Sequence, residues 1–137
     1  MEAIVTGRSL PISTKQSAEI CSYLRGKTTE RGKTILQQVI EKKAAIPYKR
    51  FNHHVGHKSG MAAGRYPINA SMEILNLIKS AESNAENKGM VAPFKISEMI
   101  ANQASRPWHY GRQRRVKMKR THVKIVISEI KKQENKK

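Results

Sequence analysis

The chain has 137 residues and a formal net charge of +17, from 27 Lys and Arg against 10 acidic residues. That length predicts a single core, and the charge excess is the electrostatic footprint of a nucleic-acid binder. The lone Cys21 excludes an internal disulfide and a cysteine-cluster metal site, no apolar run approaches the ~20 residues that span a bilayer, and MEAIVTGR lacks the plan of a signal peptide, so a cytoplasmic protein is expected.

Taken in order, Glu2 to Leu10 alternate weakly around Ile4 and Val5 and predict a short strand, stopped by Pro11. Ser13 with Gln16 has the form of a capping box opening a helix over 14–25, with Ala18, Ile20, Cys21 and Leu24 as its apolar stripe and Gly26 at its C-terminal cap. Thr28 or Thr29 caps a second helix running to about Lys43, with Ile35, Leu36, Val39 and Ile40 on one face, and Pro47 ends it.

From Pro47 to Arg65 the periodicity disappears. The stretch PYKRFNHHVGHKSGMAAGR is rich in Gly, His, Lys and Arg and contains no acid, and a loop this long is uncommon unless it is functional or disordered. Pro67 then opens a long central helix, marked by Ala70, Ile74, Leu75, Leu77, Ile78, Ala81 and Ala85 and stopped by Gly89. Glu73, Glu82 and Glu86 lie off its stripe and read as a solvated or Lys-paired face.

Phe94, Ile96 and Ile100 share one phase of a period-two pattern, as do Val123, Ile125 and Ile127, so the two stretches read as half-buried antiparallel strands. Between them the chain is dense in Arg and Lys, free of acid, and nearly devoid of residues that could be buried. It should leave the core as a basic hairpin over about 101–122, projecting roughly 30 Å at ~3.3 Å per residue. Counting inward from Ile100 and Val123 puts its turn near Gly111 and Arg112, with Trp108 exposed a few residues short of the tip. Isolated two-stranded ribbons are marginal in water and like charges repel, so a polyanion is expected to hold it. The residues 131–137, KKQENKK, have no apolar member and read as a disordered basic tail.

Several sharper readings fail on composition. The triplets Gly26-Lys27-Thr28 and Gly32-Lys33-Thr34 lack the earlier glycine of a phosphate loop, those positions being Cys21 and Lys27. His53, His54 and His57 would suit zinc, but no fourth ligand is evident; in a basic, glycine-rich loop they read as phosphate or base contacts. The basic regions hold no carboxylate to orient a histidine, so no enzyme, no metal and no cofactor are expected. Arg and Lys interleaved with Trp108, His109 and Tyr110 instead match phosphate contacts with aromatic stacking, and RNA is favoured over DNA because no helix carries base-reading residues.

The segments PYKRFNHHVGHKSG, AGRYP, AESNAENKGM and KRTHVKIVISE stand in the order found in the L-twenty-two family of large-subunit ribosomal proteins, in its archaeal and eukaryotic form, and the chain resembles that family from MEAIVTGR to Ile130. The resemblance implies an α+β domain, residues 1–130, of three helices packed on a small three-stranded antiparallel sheet, with a long protruding basic β-hairpin. It also implies a structural constituent of the large subunit that binds several domains of its rRNA, acts in assembly, and extends the hairpin toward the nascent-peptide exit tunnel. The implied partners are large-subunit rRNA, neighbouring ribosomal proteins and the nascent peptide, with no membrane and no homo-oligomer. One departure stands out: Ala104 to Arg112 reads ASRPWHYGR, an outgoing arm roughly five residues shorter than the family's. The competing reading is an independent nucleic-acid-binding module, an RNA chaperone or a DNA-compacting factor.

The expected RNA contacts fall into two groups. Lys49, Arg50, His53, His54, His57, Lys58 and Arg65 come from the loop. Arg106, Trp108, His109, Tyr110, Arg112, Arg114, Arg115, Lys117, Lys119 and Arg120 come from the hairpin, with Trp108 and Tyr110 as the stacking rings.

Overall fold

The computed structural model describes residues 1–112 and 115–130. Arg114 and the tail 131–137, assigned above to RNA contact and to disorder, lie outside the described residues. Three long strands form an antiparallel sheet in the order β1 (Glu2–Leu10), β6 (Thr121–Glu129), β5 (Phe94–Gln103). The last of these in sequence is central because Val123, Ile125 and Ile127, all fully buried, suit a strand flanked on both edges.

Three helices cover one face: α1 (Thr14–Leu24), α2 (Thr29–Ile40) and α3 (Ile68–Asn87). α3 packs on β1 and β6, α1 on β5, and α2 against α3 and β5. The stripe Ala70, Ile74, Ile78, Ala81 and Ala85 is wholly buried. Its alanines let the helix lie close to the sheet, where a Cβ on Gly7 would come within 2.9 Å of Leu77 Cδ1. Lys33 on α2 meets Glu82 on α3 at 2.8 Å, the Lys pairing expected for that helix face.

Several expectations are corrected. The predicted Ser13 capping box does not form: Ser13 makes no side-chain cap bond, and its carbonyl instead accepts from the Ser17 amide and hydroxyl. The start of α1 is fixed from β6, because Thr121 Oγ1 donates to the Ile12 carbonyl, leaving the Thr14 hydroxyl to donate to Thr121 at 2.8 Å. Thr28 does cap α2 through the Arg31 amide, but that helix ends at Ile40, where Lys42 turns to φ +59° before Pro47 is reached. In β5 a bulge between Ile96 and Glu98 inserts one residue, so Met99 takes the buried phase and Ile100 is only half-buried.

The long loop also contains structure that periodicity missed. β2 (Ile46–Pro47), β3 (His57–Lys58) and β4 (Met61–Arg65) make a second small antiparallel sheet in the order β2-β4-β3. Ile46 and Tyr48 tie it into the same core cluster as the helices.

Candidate nucleic-acid interface

The loop is organised by a residue that lies outside it. Glu19 on α1, 3 % exposed, accepts three consecutive backbone N–H bonds: from Lys49 at 3.1 Å to Oε2, and from Arg50 at 2.8 Å and Phe51 at 2.7 Å to Oε1. A buried carboxylate requires such partners, and three amides converging on one anion fix the backbone from which Lys49 and Arg50 project into solvent. The loop's own composition contains no acid, so its anchor had to come from the neighbouring helix.

Beyond this turn, His53, His54 and His57 are all exposed, with His54 in the left-handed region at φ +55°. Among the described residues no three His, Cys, Asp or Glu gather as a metal site. Lys58 is half-buried with its ammonium 5.4 Å from the centre of the Tyr66 ring. Arg65 is exposed and reaches the His54 carbonyl at 3.5 Å. The two Gly-Lys-Thr triplets serve as helix boundary and ion pair: Gly26 sits at φ +82° behind α1, and Lys33 is occupied by Glu82.

The hairpin continues the β5–β6 ladder beyond Gln103 and Thr121. The Ala104 amide donates to the Arg120 carbonyl, Met118 to Pro107, and His109 to Val116, and Trp108 lies opposite Lys117. Gly111, at the end of the described outgoing arm, has a φ of +73°, the left-handed conformation that glycine adopts without strain.

Trp108 is 55 % exposed and Tyr110 87 % exposed, and His109, Arg112, Arg115 and Lys119 are exposed beside them, with Arg120 half-buried. Two of the assigned cations have work within the hairpin. Arg106 spans the arms, its Nε donating to the Met118 carbonyl at 3.0 Å and its Nη2 to that of Lys117 at 3.3 Å. Lys117 places its ammonium 4.6 Å from the Trp108 ring centre. These contacts stiffen a ribbon whose net cross-strand electrostatics are repulsive.

Loop and hairpin meet at a groove of about 780 Å³, where the start of α1 and the end of β5 also contribute. Arg50 from the loop is brought there together with Arg106, Lys119 and Arg120 from the hairpin. Arg112, Arg115, Trp108 and Tyr110 are not: they belong to the outer hairpin. Lys15, Phe51, Asn102 and Gln103 line the groove and were missed by sequence reasoning. For Phe51 a signal existed, since it adjoins Arg50, already singled out; for Lys15, between Thr14 and Gln16, none did. For the two carboxamides none did.

Residues 5–128 match the family described as Ribosomal protein L22p/L17e. The protein called large ribosomal subunit protein uL22 of Methanosphaera stadtmanae is 40% identical over 136 residues, covering 93% of this chain and 88% of its own length. The proteins of the same name from Methanococcoides burtonii and Methanococcus aeolicus are 36% and 35% identical, covering 90% of this chain and 87% of their own length in each case.

Proposed function

Because the chain belongs to the ribosomal protein L22p/L17e family, a family of large-subunit ribosomal proteins, we propose that it binds large-subunit rRNA through its loop and hairpin and extends the hairpin toward the nascent-peptide exit tunnel. The observation that carries this reading is the partition of the molecule. Helices and sheet form an electrostatically ordinary core, while the loop and hairpin hold exposed cations and rings without a single acidic residue in either segment. Exposed Arg and Lys with solvent-facing Trp108 and Tyr110 suit phosphate contacts and base stacking. A ribbon that must lie against RNA on both faces has no use for apolar residues of its own.

The role is structural, with no turnover, and its place is the cytoplasmic ribosome. The partners are the rRNA, neighbouring ribosomal proteins and, at the hairpin tip, the nascent peptide. The chain acts as one copy per subunit rather than as a homo-oligomer. The short arm from Ala104 to Arg112 sets how deep the tip reaches.

Fractionation of cells carrying a tagged copy on a sucrose gradient tests this reading. Co-sedimentation with large subunits, retained after a wash at moderate salt, is the expected result. Recovery only in free fractions or with DNA would favour the independent nucleic-acid-binding module.

A further inference from the structure

We propose that the groove between the start of α1, the 49–51 turn and the base of the hairpin takes one unstacked nucleotide of a bound RNA, with its phosphate on Lys15 and Arg50 and its base edge on the carboxamides of Asn102 and Gln103. The inference rests on the RNA-binding reading above and adds the class of RNA feature recognised: a bulged or looped-out residue rather than a helix.

The groove's size, about 780 Å³, lies within the range of small-molecule sites. Its lining supplies Lys15, Arg50, Arg106, Lys119 and Arg120 and not one acid, so an anion entering it meets no competing carboxylate. Two of these cations are already oriented. Phe51 holds the Lys15 ammonium at 5.8 Å and the Arg50 guanidinium at 5.2 Å from its ring centre, and the Arg50 and Phe51 amides are pinned by buried Glu19. Arg106 is likewise fixed, by the carbonyls of Met118 and Lys117. Preset cations lose little conformational freedom on binding.

A phosphate site alone would need nothing more, and here Asn102 and Gln103 stand exposed among the charges at the end of β5. Each carries an amide donor pair and a carbonyl acceptor, the complement of a base's Watson–Crick edge. In a duplex that edge is already paired, and the deep, narrow major groove of an A-form helix keeps side chains from the bases. Only an unstacked base can present its edge to these carboxamides, and guanidinium planes such as that of Arg50 are surfaces on which such bases stack.

The test is equilibrium binding of the full chain to a synthetic RNA hairpin carrying one bulged nucleotide, each base in turn, and to the same hairpin without the bulge, at one salt concentration. At least one bulged hairpin should bind about ten-fold tighter than the unbulged one, the scale of one or two net hydrogen bonds to its base edge. The double variant Asn102→Ala, Gln103→Ala should abolish that preference, bringing affinity for the bulged hairpin down to that for the unbulged one, with amide chemical shifts of the core verifying its fold. Equal binding of all the hairpins by the natural chain, or a preference that survives the double substitution, would overturn the inference while leaving RNA binding intact. Failure to bind any of the RNAs would overturn both.

Discussion

Replacing Glu19 separates the anchoring of the loop from simple burial of a side chain. In the natural chain Oε1 accepts from the Arg50 and Phe51 amides and Oε2 from that of Lys49. A hydrogen bond to a charged group contributes ~1.5–3 kcal/mol, and three that share one acceptor group do not add independently. Glu19→Ala should therefore destabilise the free protein by about 3–5 kcal/mol, a large part of the ~5–15 kcal/mol of a typical domain. Glu19→Gln keeps the shape and one oxygen, which can still serve Arg50 and Phe51. Its amide nitrogen would then face the Lys49 N–H, donor against donor, so the cost should be smaller, about 1–2 kcal/mol. Urea unfolding of both variants gives the two numbers directly. Because the same turn positions Arg50, both variants should also lose affinity for large-subunit rRNA at salt and urea concentrations where they remain folded. Equal costs for Ala and Gln, or costs under ~0.5 kcal/mol for both, would mean that the three amides are as well satisfied by water, and the anchor would have to be abandoned.

Other consequences follow from the same division between core and interface. Ile78→Ala, at a fully buried position, should cost about 2–5 kcal/mol in unfolding free energy, whereas Arg112→Ala with Arg115→Ala should change stability by under ~0.5 kcal/mol and weaken rRNA binding; unfolding by the arginine changes would mean the hairpin is packed on the core. Trp108 is the only tryptophan, so fluorescence of the free protein should be red-shifted and quenched by acrylamide, then protected by large-subunit RNA; a blue-shifted, quencher-resistant emission would refute its exposure. Burial pushes both the Cys21 thiol and the Tyr48 hydroxyl up to about 12. The unfolded chain therefore releases those protons at lower pH than the native one, and stability should fall as pH rises from about 9 toward 12. Tyr48→Phe, which removes a buried hydroxyl without a hydrogen-bond partner among the described residues, should flatten that decline and cost little at neutral pH; an unchanged alkaline limb in urea midpoints would count against it.

The three helices and three long strands were legible because each carries an apolar repeat matching its own period, and the basic hairpin was legible because it carries none. Periodicity failed where the chain departs from regularity by one residue. The bulge after Ile96 exchanges Ile100 for Met99 in the core, and nothing in FKISEMIANQ marks an insertion. The small β2-β4-β3 sheet was hidden because two of its strands are only two residues long, too short to show alternation. Of the site, the exposed cations and rings could be read from composition, but their internal engagements could not. Arg106 is spent on bridging the hairpin and Lys117 on the Trp108 ring, while Glu19 acts on a turn some thirty positions away. Such pairings depend on the register of the tertiary fold, which local sequence does not encode.

The hairpin tip is the most direct point of test. Cys21 is buried and its thiol is held protonated, so a cysteine placed by Tyr110→Cys would be the one reactive thiol and could carry a tethered iron chelate. Large subunits assembled with that protein and triggered to generate hydroxyl radicals should show strand cleavage confined to large-subunit RNA bordering the exit tunnel. Cleavage absent above the level of the unmodified chain, or scattered over RNA remote from the tunnel, would contradict the placement of the hairpin and with it the proposed role.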